Sequence, residues 1–349
     1  MKKLTLSLIL TLMLMCLGAD IFPVPKLPWA PLTYTVFKTD SPITADGVLD
    51  EPDWQKALWT EDFVDIEGEL KPLPHYQTRV KMLWDDEWLY IAAEMEEPHL
   101  WATLTERDAV IFHDNDFEVF IDPDSDTHDY YEWEINALGT LWDLFLIKPY
   151  RDRDQVAINA WDIRDMEYGI RLKGTLNDPS DVDEGWVLEM KVPMYVLKEC
   201  AHKPVPPVEG DFWRLNFSRV HYDLEVVDGK YHKVAGKPEY NWVWSPQGLI
   251  AMHYPERWGY LFFSHQAPGT ELSYDIPERE QQKELLRQLY YLQKQHQYTN
   301  KRYARSLRSL NIPAELWQKF DTAPRIESTS RGYIIHYKDL WIREDGLTN

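Results

Sequence analysis

Through the middle of the chain, apolar and polar positions alternate in short runs separated by turn-forming residues. TRVKMLWDDEWLYIAAEM (78–95) alternates on both sides of Asp85-Asp86, which predicts two strands joined by a hairpin turn. FEVFID (117–122), YYEWEINALG (130–139) and TLWDLFLI (140–147) follow, with another turn at Gly139-Thr140. YGIRLKGTL (168–176), GWVLEMKVP (185–193) and FWRLNFSRVHY (212–222) continue the series. A period of two sends neighbouring side chains to opposite faces, so each run offers one face to a core. Many short strands with few helical periods predict a mainly β fold, an immunoglobulin-like or jelly-roll-type β-sandwich. Short helices are expected around Glu51 to Ala57 and near Met194 to Glu199.

The period changes near residue 270. PERE (277–280) puts a proline at a helix start and acids in its first turn. Leu285, Leu289, Leu292, His296, Tyr303, Leu307 and Leu310 then recur at helical spacing up to Asn311. Residues 270–349 are therefore expected to form a C-terminal α-helical extension, with GYIIHYKDLWI (332–342) as a final strand or hairpin. That helix packs on the sandwich or on a protein partner. Residues 20–42 are rich in proline and read as a leader or an early edge strand.

The first residues read as targeting signal. Lys2 and Lys3 precede an apolar run from Leu4 to Met15, too short to span a bilayer well, and Gly18 and Ala19 offer a cleavage point. Residues 1–19 are thus expected to be a signal peptide and the product exported: periplasmic, on the cell surface or secreted. A lipid anchor at Cys16 is a weaker reading, because Leu14 and Met15 fit the narrow peptidase pocket poorly. No other stretch reads as a transmembrane segment. With Cys16 removed, Cys200 has no disulfide partner and reads as a structural thiol.

Acids outnumber bases by 58 to 37, for a net charge of -21. This disfavours nucleic acid and anionic membranes, which select concentrated lysine and arginine. It is compatible with a neutral polysaccharide and with divalent cations. The 16 tryptophans and 20 tyrosines point the same way, because flat rings suit the C–H faces of sugars.

Chemistry concentrates in DNDFEVFIDPDSD (114–126). Asp122, Asp124, Asp126 and Asp129 follow a strand, with oxygens at alternate positions as a hard cation such as calcium wants, although the glycine and terminal glutamate of an EF-hand are missing. A glycosidase would need two carboxyls at a set separation, and Glu118, Glu132, Glu134 and Glu189 are candidates by type. Alternation places Asp116 and Glu118 on one face, as solvated acids would be. No GxSxG, HExxH, P-loop or Rossmann fingerprint occurs.

Five segments in order, ITADGVLDEPDWQKA (43–57), WDDEWLYIAAEMEEP (84–98), FHDNDFEVFIDPD (112–124), EGWVLEMKVP (184–193) and WRLNFSRV (213–220), resemble the family 9 carbohydrate-binding modules and their exported bacterial relatives. NWVWSPQG (241–248) and MHYPERWGY (252–260) extend the likeness, which covers about 43–264. The resemblance implies a sandwich that binds sugar and usually holds structural calcium. It implies two aromatic rings clamping a terminal sugar, here Phe112, where the family usually has tryptophan, and Trp244. Glu118 and Asn241 would read hydroxyls. Glu134 and Asn136 stand at polar contact positions, and typical members carry arginine at the first. Arg107 and Asp108 line the same cleft or form a salt bridge. Trp84, Trp88, Trp133, Trp186 and Trp213 are assigned to the core, Trp54 to a helix anchor, and Arg214 and Arg219 to buried acids.

The expected function is an exported, non-catalytic, calcium-stabilised module that binds an oligo- or polysaccharide and serves polysaccharide breakdown. Two alternatives stay open: a glycoside hydrolase or accessory hydrolase acting on O-glycosyl bonds, and a structural or interaction sandwich with a degenerate cleft. A redox or haem-binding relative would need a Met or His pair that the sequence does not display.

Overall fold

The computed structural model describes residues 22–152 and 155–349. The expected signal peptide and Cys16 lie outside them. Among the described residues there are eighteen strands: β1 (Thr33–Lys38), β2 (Val64–Asp65), β3 (Thr78–Trp84), β4 (Trp88–Glu96), β5 (Asp116–Asp122), β6 (Tyr130–Asn136), β7 (Leu141–Leu146), β8 (Ala157–Ile158), β9 (Glu167–Lys173), β10 (Gly185–Pro193), β11 (Phe212–His221), β12 (Leu224–Val227), β13 (Lys230–Lys233), β14 (Tyr240–Val243), β15 (Gly259–Ser264), β16 (Arg325–Ser328), β17 (Tyr333–Tyr337) and β18 (Leu340–Arg343). The helices include α1 (Met194–Leu197) and α2 (Glu278–Asn300).

The alternation read from the sequence becomes a curled β-sandwich. One continuous path runs β8-β7-β6-β5-β11-β15-β1-β3-β4-β10-β9, and β14 pairs with both β11 and β2. Phe117, Val119 and Ile121 of β5, with Trp133 and Ile135 of β6, pack in one core with Val80 and Met82 of β3, Ile91 of β4 and Leu188 and Met190 of β10. Trp84, Trp133, Trp186 and Trp213 lie in this core as expected.

Strand β1 departs from the expectation of a leader or edge. It pairs in parallel with β15 on one side and β3 on the other, so the sandwich begins ahead of residue 43. Its sequence TYTVFK alternates as well as the others, but the proline-rich flank masks the signal.

The segment 43–57 covers the outer face of β4 and β10. Trp54 is fully buried beside Leu83, Tyr90 and Ala92. Its Nε1 donates to Glu189 at 2.7 Å, and the same carboxyl accepts from the amides of Gly47 and Asp46. Gly47 has a φ of +80°, and a Cβ there would meet the backbone nitrogen of Arg171 at 2.7 Å, so the tight approach requires glycine. The stretch Glu51 to Ala57 forms turns rather than the expected helix, because the Trp54 anchor and its neighbours fix it to the sheet. Glu189 is therefore a structural acid, not a catalytic candidate.

Helix α2 ends at Lys301, whose φ of 56° is left-handed, ten residues before the end expected from leucine spacing. Tyr303, Leu307 and Leu310 instead return along the helix. Leu286, Leu289, Tyr290 and Tyr291 pack against Tyr333, Ile335, Leu340 and Ile342 of a three-stranded sheet, β16-β17-β18, and against Phe22, Leu249 and Tyr254. The tail is thus the expected hairpin with one strand added. The apolar side of α2 is filled within the chain. No described helix is long and apolar enough to cross a membrane.

Candidate functional site

The outer face of β5, β6, β7, β11 and β14 is covered at one end by apolar packing and open at the other. Phe120, Tyr130, Leu144, Leu146 and Val243 pack under Met252 and Trp258. Beyond them is a cavity of about 300 Å³ lined by Phe112, Glu118, Phe120, Glu132, Glu134, Trp142, Tyr150, Val220, Glu239, Asn241, Met252 and His253. This is at the lower end of the ~300–1,000 Å³ typical of small-molecule pockets.

Strand register builds its floor. Glu118 of β5 lies opposite Glu134 of β6, and Glu134 opposite Trp142 of β7. Asp116 and Glu132 flank that pair on the same face. One oxygen from each of Asp116, Glu118 and Glu134 lies within 4.8 Å of the others. These acids are not the solvated surface expected: Glu118, Glu132, Glu134 and Asp116 are all buried. Burial pushes Glu118 up to about 7. Burial, followed by repulsion from Glu118, drives Asp116, Glu132 and Glu134 well above the usual carboxylate range. The Phe112 amide donates to Glu134 at 2.9 Å, and the Val220 amide to Asp116 at 3.3 Å.

Aromatic rings form the walls. Phe112 and Trp142 lie 6.3 Å apart at 36°. Tyr150 meets His253 edge-on at 4.5 Å, and Tyr130 Oη lies 2.9 Å from His253 Nδ1. Burial, then the nearby Arg151, lowers His253 to about 3, so it stands neutral in the wall. Arg151 stacks on Tyr254, bonds Glu256 at 2.9 Å and donates to Tyr290 of α2 at 3.1 Å. Tyr291 of α2 donates to Glu256 at 2.6 Å. The C-terminal helix therefore braces this wall from behind.

Of the residues expected to contact ligand, Phe112, Glu118, Glu134 and Asn241 meet in the cavity, and three do not. Trp244 is fully buried in the inner core, its ring against Gly259, where a Cβ would lie 2.5 Å from it. The proline and glycine in NWVWSPQG predict a loop, but Asn241 to Val243 belong to β14 and Trp244 follows directly, so Asn241 and Trp244, three apart, point to opposite faces. Asn136 closes the β6–β7 turn, accepting from the amides of Leu138 and Thr140 while donating to Leu104 and Asp114. Arg107 pairs with Asp143 at 2.7 Å and Asp162 at 3.1 Å, the salt-bridge alternative. The sequence reading missed Trp142, Tyr150 and His253 and left Glu132 a candidate catalytic acid. Trp142 stands opposite Glu134 because the turn is centred on Leu138, a residue earlier than the Gly139-Thr140 turn read from the sequence. The remote loop carrying Tyr150 left no signal.

The loop after β5 brings Asp122, Asp124 and Asp126 together, with one oxygen of each within 4.8 Å of the others. Asp129 is not in this group. Backbone amides of Ser125 and Thr127 hold Asp122, and the His128 amide holds Asp126. Asp124 Oδ1 is buried without a partner among the described residues. Burial, then repulsion from Asp122, raises Asp124 to about 9 and Asp126 to about 7. Three converging acids with an unsatisfied oxygen fit a hard cation such as calcium.

Residues 45–208 match the family described as "Carbohydrate family 9 binding domain-like". No curated protein matches the chain. Among solved structures, the chain is similar to a Bacteroides uniformis protein assigned to carbohydrate binding, with 16% identity and a TM-score of 0.49 over 67% of this chain and 100% of that one. It is also similar to a family 9 carbohydrate-binding module from Caldicellulosiruptor kristjanssonii in complex with cellotriose (14% identity, TM-score 0.42, 70% of this chain and 100% of that one). The match to a complex of a family 9 module from the same organism with glucose gives 14% identity and a TM-score of 0.44 over 68% and 100%.

Proposed function

We propose that this chain, whose residues 45–208 form a family-9-like carbohydrate-binding domain, binds a short oligosaccharide or a polysaccharide end in the cavity above Glu118 and Glu134. The observation that carries the reading is the joint presence of the Phe112–Trp142 ring pair and a floor of buried carboxyls. The rings supply apolar faces for sugar C–H groups, and the carboxyls, with Asn241, bond hydroxyls. The second cavity, about 690 Å³ and lined by His75, Tyr240 and Trp242, shares Glu239 and Asn241 with the first and offers room for further sugar units.

Asp122, Asp124 and Asp126 would hold a calcium ion that fixes the β5–β6 loop. The basic and apolar N-terminal run supports export, and a role in polysaccharide breakdown fits such a protein. The test is calorimetric titration of residues 22–349 with cello-, xylo-, manno- and amino-oligosaccharides. Binding that weakens at least tenfold in Trp142→Ala supports the site. An unchanged affinity in that variant places the sugar elsewhere.

One observation favours a second reading, glycoside hydrolysis. Glu118 and Glu134 have oxygens within 4.8 Å of each other, near the ~5 Å separation of retaining enzymes. Against it, both carboxyls are raised together, whereas that chemistry needs one ionised and one protonated. Release of reducing ends from the same oligosaccharides, lost in Glu134→Gln, would establish hydrolysis.

A further inference from the structure

Among the described residues, no lysine or arginine lines the cavity, although Glu118, Glu132, Glu134 and Glu239 do. The one histidine in the lining, His253, has its Nε2 4.0 Å from Glu132 Oε1 but stands neutral. The basic groups nearby are engaged elsewhere: Arg151 is committed to Glu256 and the Tyr254 ring, and Lys233 lies 3.4 Å over the Tyr222 ring. Glu132 is 4% exposed, lines the cavity and has an Oε2 with no partner among the described residues. Its neighbour Asp116, 1% exposed, also has an unpartnered oxygen. A buried carboxyl oxygen left unpaired is destabilising, and more so when charged.

We propose that the cavity takes a sugar bearing a free, protonated amine, with the ammonium seated among Glu118, Glu132 and Glu134 beside the Phe112 and Trp142 rings. The proposal rests on the sugar-binding reading of the same cavity and names its ligand class. An ammonium is a triple donor, so it can satisfy several of these acceptors at once through charge-assisted bonds. The ring faces add attraction for the cation, which a neutral hydroxyl would not feel.

A metal ion fits this place less well. A hard cation wants six or more oxygens, yet amides of Phe112 and Val220 already occupy one oxygen each of Glu134 and Asp116. The remaining walls are aromatic and offer no oxygen ligands beyond Tyr150, Glu239 and Asn241.

The test titrates the full chain at neutral pH with β-1,4-linked glucosamine disaccharide, its N-acetylated counterpart and cellobiose. The acetylated sugar keeps the ring and linkage but loses the charge, so the wild-type protein alone decides. The expected result is an affinity for the glucosamine disaccharide on the order of tenfold or more above both neutral sugars. That preference should fall in Glu132→Gln, which keeps the volume but cannot ionise opposite the bound ammonium. Equal or better binding of the neutral sugars would overturn the amine proposal and leave the sugar site standing. Binding of no sugar at all, or displacement of bound sugar by millimolar calcium or magnesium, would overturn it and send the acids to a metal role.

Discussion

Trp142 and Trp244 have the same side chain and opposite duties. Trp142 is half-buried beside Phe112 and opposite Glu134, so Trp142→Ala should cost binding but less than about 1 kcal/mol of stability. Trp244 fills the inner core, so Trp244→Ala should cost roughly 3–5 kcal/mol, read as a fall in the denaturation midpoint. The reverse pattern would mean the ligand stacks on the inner core instead.

Glu118 carries a pH signature. Burial pushes its folded pKa up to about 7, above the unfolded value, so the folded state holds the proton more tightly. The resulting stability is fully present below the unfolded pKa of about 4.5 and is lost as pH rises through about 7. The ligand-free protein should therefore melt progressively lower from about pH 5 to about pH 8, and Glu118→Gln should flatten part of that fall. The remainder stays with the other buried acids that burial raises, among them Glu189, Asp126 and Glu284, each pushed up to about 7. A slope identical in wild type and Glu118→Gln would mean that Glu118 is ionised in the folded chain. The sequence showed that Glu118 and Asp116 share a face, but not that the face is covered. Cover here comes in part from Met252 and His253, more than a hundred residues away, and no local pattern encodes that.

At the level of elements, strands β3 to β7 and β9 to β11 are where alternation predicted them, and the hairpin at Asp85 is closed as expected, with Asp85 accepting from the amides of Glu87 and Trp88. The failures share a cause. The sequence around β14 reads as a loop because Pro246 and Gly248 follow it, and helix α2 reads too long because Leu307 and Leu310 pack on the same apolar cluster from a separate 3-10 turn, Leu307–Leu310. In both, tertiary packing decided against the local signal. The loop between β5 and β6 was more legible, since acids at alternate positions in a turn brought three of four expected ligands together. If it holds calcium, chelation should lower the melting temperature by about 5 °C or more, and Asp124→Asn should abolish that response. Indifference to chelator in the wild type would leave the loop as an acidic turn.

On the scale of the molecule, residues 270–349 are the part about which the family segments say least, and the structure ties them to the site. Lys294 pairs with Asp152, Arg214 with Glu280, and Lys283 donates to Ser125 of the acidic loop. Burial opposes ionisation of Glu256, but Arg151 and Arg287 outweigh it and hold the group down to about 2. Tyr291→Phe takes one donor from that carboxylate and should cost about 1–3 kcal/mol. It should also weaken sugar binding through the Tyr150–His253 wall. Lost stability with unchanged affinity would confine the helix to a structural role.

The brace from α2 to Arg151 also bears on how this protein can be handled by evolution and by the experimenter. A binding domain that closes on its own 220 residues can be excised, duplicated and fused to new neighbours. Here the back of the pocket is finished by the last eighty residues, so a cut after Ser264 would remove Tyr290 and Tyr291 and strand Arg151 and Glu256. The pocket therefore cannot travel without α2, and portability is limited by a wall that a distant helix completes.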